Sequence, residues 1–399
     1  MEIKAKIILK RGKEQSIQRQ HPWLFSGAIE HIEGTPVDGD WVTVQQADGK
    51  VLAHGHYQKG SITIRLLSFD KNLPRHDFYT EKISTAAQQR THINIQSSTT
   101  NAYRLIHGEG DGLPGLIVDM YNGVAVVQAH SHGMHNDREK IAEAIKAVFD
   151  ESVNAVYYKN QLSPTQNSGE RSGGNTRGEY LLGMSVVPHT ILEHNHKFLV
   201  DWEEGQKTGF FLDQRENRML LATYAMNRAV LNTFCYTGGF SVYAAQAGAA
   251  LVHSVDSSER AVDMARKNMQ LNGFDPTQHL CYTEDVFDFL KDKEGKYDLI
   301  ILDPPAFAKH KDSKHQAMKG YQRLNLEAIK KIRPGGIIFT FSCSQVVDRQ
   351  LFYDTVVSSA IQSGREIKVL QHLSQPADHP VSIYHREGEY LKGLVLYVA

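Results

Sequence analysis

The stretch Ala229-Val230-Leu231-Asn232-Thr233-Phe234-Cys235-Tyr236-Thr237-Gly238-Gly239-Phe240 decides the fold: an apolar run breaks at a glycine pair and passes into a helix. The pattern recurs downstream. Ala250-Leu251-Val252-His253-Ser254-Val255 ends at Asp256 and leads into a segment rich in Ala, Arg and Lys that predicts a helix over 258–271. Tyr297-Asp298-Leu299-Ile300-Ile301-Leu302-Asp303 and Gly335-Gly336-Ile337-Ile338-Phe339-Thr340-Phe341 repeat it. Strands that are apolar throughout and alternate with helices predict an α/β unit from about residue 187 to 399, built on a parallel sheet covered on both faces.

Upstream the texture differs. Residues 1–73 hold short alternating runs, such as Trp41-Val42-Thr43-Val44 and Ile62-Thr63-Ile64-Arg65-Leu66, separated by the turn signals Asp38-Gly39-Asp40 and Asp48-Gly49-Lys50. They predict a small all-β barrel. Residues 74–186 predict a middle α+β domain, with a helix near 77–93 and hairpin signals at Gly110-Asp111-Gly112 and Tyr121-Asn122-Gly123. The Ser-, Gly-, Asn- and Arg-rich piece from Ser163 to Gly178 is expected to be a mobile loop.

The 399 residues are 41% hydrophobic and 22% charged, with no apolar run of membrane-spanning length, so no membrane partner is expected. The three cysteines, Cys235, Cys281 and Cys343, form no CxxC pair, so neither a disulfide framework nor a structural zinc site is expected and no metal is assigned. The start, Met1-Glu2-Ile3-Lys4-Ala5-Lys6-Ile7, lacks the apolar core of a signal peptide, and a cytoplasmic location is expected. A net charge of -1 excludes a protein that coats nucleic acid indiscriminately, yet two local excesses of +4 stand out. One covers the first 20 residues, with Lys10, Arg11, Lys13 and Arg19 among its bases, and reads either as a solvated edge strand or as a phosphate-binding face. The other covers 309–323, with Lys309, Lys314, Lys319 and Arg323, and fits an RNA strand entering a cleft better than a plain polar helix face.

Ligands of doubly wound sheets bind at the carboxyl ends of the strands. Gly238 and Gly239 let backbone approach a ligand at a helix N-terminus, within the candidate cofactor loop Tyr236-Thr237-Gly238-Gly239-Phe240. Asp256, 18 positions after Gly238, stands where a carboxylate accepts ribose hydroxyl protons. A nucleoside ligand follows. The G-x-G-x-x-G fingerprint is absent from this loop, which has only the Gly238-Gly239 pair, and that weakens a dinucleotide; S-adenosylmethionine needs fewer glycines, an acid for the ribose, and a polar group for the adenine amine such as Asp285.

Asp303-Pro304-Pro305-Ala306-Phe307 ends a strand in a φ-restricted turn that can hold a planar amine-bearing ring, with Pro304, Pro305 and Phe307 as candidate contacts. One strand later, Phe341-Ser342-Cys343-Ser344 brings a thiol to the same rim. With a pyrimidine substrate a thiolate has a purpose: its addition to carbon 6 makes carbon 5 nucleophilic toward a methyl sulfonium. Cys343 fits that role, and Asp303 is the nearest candidate for the base that then removes the carbon 5 proton.

Taken together, Lys207-Thr208-Gly209-Phe210-Phe211-Leu212-Asp213-Gln214-Arg215, the Cys235 to Phe240 loop, Leu302-Asp303-Pro304-Pro305 and Phe341-Ser342-Cys343-Ser344 resemble the bacterial large-subunit ribosomal RNA cytosine-5 methyltransferase I family. So do His21-Pro22-Trp23-Leu24-Phe25-Ser26-Gly27, Gly110 to Asp119 and Asp378-His379-Pro380, which extends the likeness over the whole chain. The resemblance implies a PUA-type RNA-binding barrel, a middle α+β domain, a Rossmann-like S-adenosylmethionine methyltransferase domain, and a homodimer acting on large-subunit (23S) ribosomal RNA, naked or early in assembly. It also implies that Asp213 and Arg215 line the cofactor site with Gly238, Asp256, Asp285 and Asp303, and that Cys343 is the nucleophile. The chain departs from the wider group of RNA cytosine-5 methyltransferases at Ala306-Phe307, where these often carry a second cysteine, so release of product must use another base. Two alternatives stay open: methylation of a guanine nitrogen on the same fold, and a non-catalytic RNA-binding or ribosome-assembly protein.

Overall fold

A computed structural model describes residues 2–160, 178–275, 277–307 and 314–399. The loop expected from Ser163 to Gly178, apart from Gly178, and Lys309 lie outside the described residues. The chain folds into two compact units, Met1–Ile191 with Val200–Phe210 and Ala377–Gly388, and Leu192–Leu199 with Phe211–Pro376 and Glu389–Ala399. The expected boundary at 73 falls inside the first unit, and the expected last domain lends that unit three stretches, 187–191, 200–210 and 377–388.

In the first unit, β1 (Ala5–Leu9), β2 (Trp23–Phe25), β3 (Ile29–Glu33), β4 (Trp41–Gln45), β5 (Val51–Tyr57) and β6 (Ile62–Ser68) form one sheet, ordered β2-β6-β5-β4-β1-β3. β1 is an interior strand, parallel to β4 and antiparallel to β3. The edge-strand alternative for the basic N-terminus therefore fails: Lys10, Arg11, Lys13 and Arg19 sit, all exposed, on the connection to β2, around the short α1 (Gln15–Gln18). The second sheet runs β11-β10-β9-β8-β7, from β7 (Ala102–His107), β8 (Leu116–Tyr121), β9 (Val124–Ala129), β10 (Ala155–Tyr158) and β11 (Glu179–Leu182). Asn122 and Gly123, with φ of 45° and 85°, close the β8–β9 hairpin in the left-handed conformations that a two-residue turn demands.

Helix α2 (Phe78–His92) lays Ile83 and Ala86 on that sheet, α3 (His132–Asn136) follows β9, and α4 (Arg138–Phe149) adds Ile141 and Ile145. Trp41 and Leu67 of the first sheet join the same core. A buried carboxylate joins the layers: Asp137 Oδ2 accepts from Trp41 Nε1 at 2.9 Å and from the Tyr79 hydroxyl at 2.7 Å.

The chain passes between the units through the hairpin of β12 (His189–Glu193) and β13 (His196–Val200). The second unit then alternates α5 (Arg215–Ala225), β14 (Ala229–Thr233), α6 (Gly239–Gln246), β15 (Leu251–Asp256), α7 (Glu259–Leu271), β16 (His279–Thr283) and α8 (Val286–Leu290). It continues with β17 (Leu299–Leu302), α9 (Lys314–Lys331), β18 (Gly336–Ser342), α10 (Arg349–Ser363), β19 (Ile367–Ser374) and β20 (Lys392–Val398). The sheet order is β16-β15-β14-β17-β18-β20-β19. Strands β14 to β18 are parallel as expected, but β20 is antiparallel to both of its neighbours, so the sheet is mixed. Every residue of β17 and β18 is buried, the signature of a strand covered on both faces. None of the described helices is long and apolar enough to cross a membrane.

Candidate active site

The strand order reverses between β14 and β17, and at such a switch point the chains leaving the two carboxyl ends diverge and open a crevice. The loop leaving β14 is strained. Phe234 (φ 52°), Tyr236 (φ 47°) and Gly238 (φ 79°) all adopt left-handed backbone, at about 1–3 kcal/mol for each residue that is not glycine, and such cost concentrates at functional sites. A side chain at Gly238 would bring its Cβ to 3.0 Å from that of Ala265, and one at Gly239 would meet Arg218 Cδ at 3.1 Å. The loop therefore keeps bare backbone at the start of α6, the geometry that receives an anionic group.

Asp256, at the end of β15, accepts from Tyr236 N at 3.0 Å through Oδ2 and from Ser258 N at 2.9 Å through Oδ1, which aims its carboxylate along this rim. Asp285 caps α8, its Oδ1 accepting from Phe287 N (2.8 Å) and Asp288 N (3.2 Å). Thr237 is buried and accepts from Asn268 Nδ2 through its carbonyl at 2.8 Å. Phe240 packs against Phe341 with ring centroids 5.8 Å apart, so its ring belongs to the core and only its backbone faces the loop.

Asp213 and Gln214 lie on one 3-10 turn, Leu212–Gln214. Gln214 Nε2 donates to Asp303 Oδ2 at 3.0 Å, tying this segment to the end of β17, and the Tyr390 hydroxyl donates to Asp213 Oδ2 at 2.6 Å. Arg215 is buried, with Nε donating to Glu216 Oε1 at 3.2 Å. Behind them Arg218 forms a two-pronged pair with Glu193 at 2.8 and 2.7 Å and donates to the Phe211 carbonyl at 3.0 Å. Both side chains are buried, so Arg218→Met strands the Glu193 carboxylate and is expected to cost about 3–5 kcal/mol in denaturant unfolding of the second unit. Arg218→Met with Glu193→Leu should recover much of it, because the orphan charge goes too.

The three cysteines are not equivalent. Burial, then the neighbouring Asp256 carboxylate, pushes the Cys235 thiol well above its ordinary range, and burial raises Cys281. Cys343, half-buried and one residue past β18, has a cation close by: the buried Lys392, opposite Ser342 in the β18–β20 register, donates its ammonium to the Ser344 carbonyl at 2.6 Å, and a charge on Cys343 favours that ammonium. The Tyr321 phenol, also buried, faces Ser342, Cys343 and Asp303, and burial pushes it up to about 12, so it remains a neutral donor. Phe307 packs against Tyr321 with centroids 4.7 Å apart and the rings tilted by 52°; Pro304 is buried and Pro305 exposed. The described remainder of the basic run lies on α9, with Lys314 half-buried, Lys319 exposed and the Arg323 guanidinium 4.4 Å above the Phe287 ring.

The structure thus gathers Tyr236 to Phe240, Asp256, Asp285, Asp303 and Cys343 at the strand ends of the second unit, with Asp213 and Arg215 joined through Gln214. Lys10, Arg11, Lys13 and Arg19 belong to the other unit. The sequence alone assigns no role to Gln214, Tyr321, Tyr390, the Glu193–Arg218 pair or Lys392. The last leaves a legible signal, a lone charge opening the apolar run Lys392-Gly393-Leu394-Val395-Leu396-Tyr397-Val398.

Comparison with known proteins matches residues 103–385 to the S-adenosylmethionine-dependent methyltransferase family and residues 7–69 to the PUA-like domain. The chain is 39% identical to the ribosomal RNA large subunit methyltransferase I of Aeromonas hydrophila subsp. hydrophila over 99% of both chains. It is 37% identical to that of Escherichia coli (strain SMS-3-5) over 98% of both. In fold it is similar to the crystal structure of SMU.776 complexed with SAH, with a TM-score of 0.84 and 24% identity over 98% of this chain and 100% of that one. The chain belongs to the ribosomal RNA large subunit methyltransferase I family, and its cofactor is S-adenosylmethionine.

Proposed function

We propose that the chain methylates carbon 5 of a cytosine in large-subunit (23S) ribosomal RNA through a covalent bond between Cys343 and carbon 6 of the base. One observation carries this assignment: of the three thiols, Cys343 alone stands at a parallel-strand end beside a buried ammonium, next along the sheet from Asp303.

The loop residues Tyr236 to Phe240 suit the cofactor, because the bare backbone at Gly238 and Gly239 admits a carboxylate at the start of α6. Asp256 accepts from the ribose hydroxyls, Asp285 from the adenine amine, and Asp213 and Arg215 complete the wall. Bound S-adenosylmethionine supplies an electrophilic methyl group. Cys343 attacks carbon 6, and the electron pair of the 5,6 double bond makes carbon 5 the nucleophile that takes the methyl. Asp303 then accepts the carbon 5 proton, the double bond re-forms, and the Cys343 thiolate leaves. Pro304, Pro305 and Phe307 border the base, while Lys314, Lys319 and Arg323, together with Lys10, Arg11, Lys13 and Arg19, supply the contacts to RNA phosphates.

The test is methyl transfer from labelled S-adenosylmethionine to naked ribosomal RNA and to assembled large subunits, with nucleoside analysis of the product. Recovery of 5-methylcytidine, more from naked RNA than from subunits, is expected. A methylated guanine would overturn the assignment, and so would any other methylated nucleoside.

A further inference from the structure

In the first unit, His21, His385 and Glu387 converge so that one ligand atom from each lies within 4.8 Å of the other two. Among the described residues no other trio of His, Cys, Asp or Glu meets this condition. The side chain that calls for a ligand is His385. It is 3% exposed, and neither ring nitrogen has a hydrogen-bond partner, although an imidazole can satisfy both.

Its Nε2 lies 3.4 Å from Glu387 Oε2 without forming a hydrogen bond. That separation is the edge of a tetrahedron: metal bonds of about 2.0–2.1 Å to nitrogen and oxygen put neighbouring donors roughly 3.4 Å apart. His21 is held through Nδ1, which lies 3.0 Å from the Trp23 carbonyl oxygen and 3.1 Å from the Trp23 amide nitrogen, so the Trp23 backbone engages Nδ1 and leaves Nε2 to coordinate. The Trp23 ring, edge-on to His385 with centroids 4.3 Å apart and fixed by its Nε1 donating to Glu109 Oε1 at 2.8 Å, walls the site.

We propose that His21, His385 and Glu387 bind one Zn²⁺ ion, with water in the fourth position. Two imidazoles and one carboxylate suit zinc, whereas Ca²⁺ and Mg²⁺ call for oxygen donors alone. The ion would tie the segment Ala377–Gly388 to His21, two positions before β2, pinning the chain's late return into the first unit.

The experiment uses the full-length protein, stripped with chelator and titrated with Zn²⁺ against a chromophoric competitor. One equivalent should bind with Kd of about 1 μM or tighter, and His21→Ala, His385→Asn and Glu387→Gln should each weaken it by roughly 10- to 100-fold or more. Glu387 is exposed, so its variant retains the fold even where His385→Asn does not. Co²⁺ in place of zinc should give visible bands of a tetrahedral nitrogen–oxygen site without thiolate charge transfer. Absence of a tight equivalent overturns the proposal. Unchanged affinity in Glu387→Gln and His21→Ala, or a thiolate band, does so as well, because either means that the metal binds elsewhere among the 20 histidines and three cysteines.

Discussion

Cys343→Ala is expected to lower methyl transfer by on the order of 10⁴-fold or more while leaving the affinity for S-adenosylmethionine within a few-fold of the parent. Carbon 5 of cytosine is a poor nucleophile, and the chain has no other thiol to activate it, since Cys235 is buried with its proton held and Cys281 lies on β16. Cys343→Ser should not rescue, because a hydroxyl beside Lys392 stays protonated at neutral pH. RNA carrying 5-fluorocytidine gives the positive counterpart. Fluorine at carbon 5 cannot leave as a cation, so the wild-type protein should accumulate a covalent RNA adduct that survives denaturing electrophoresis, and Cys343→Ala should not. Activity within about 10-fold of wild type would sink the covalent route and favour transfer to a nitrogen, which needs no thiol.

The contrast between Cys343 and its surroundings shows how far the sequence reaches. Each parallel strand of the second unit is visible as an apolar run, because burial on both faces removes the polar alternation that would otherwise obscure it. Asp256, Asp303 and Cys343 follow from position alone, since each comes just after such a run. The antiparallel insertion of β20 does not. Lys392 is 49 positions from Cys343 in the chain, and only the register that sets Ser342 opposite Lys392 makes them neighbours. Hydrogen bonds between distant segments, such as Gln214 to Asp303, are hidden for the same reason: spacing in sequence carries no information about them. The basic N-terminus shows the converse. Its charge count is plain in the sequence, but whether it lies on an edge strand depends on sheet order, and β1 proves to be interior.

Lys392 therefore carries the second large effect, a change in the pH profile of kcat/KM. Burial drops its ammonium to about 8, with the Cys343 charge opposing the fall. A lysine is charged below its pKa, so the ammonium that favours the Cys343 thiolate is present below about pH 8 and is lost above it. The wild-type profile should rise as the thiol ionises and level off below about pH 8, with the apparent values belonging to the coupled pair. Lys392→Arg keeps its charge at every accessible pH and should give the same rise and plateau. Lys392→Met removes the charge throughout: activity at pH 7 should fall by up to about 30-fold and climb steadily with pH, as for a thiol that ionises in the ordinary range near 8.5. Methionine matches the length of the lysine stem, and exchanging a buried charge for an apolar group is commonly neutral to stability, so the loss should appear without a lower melting temperature. A lysine with a purely structural role would instead change activity by the same factor at every pH, and that flat profile is the outcome that would exclude it as the group positioning the Cys343 charge.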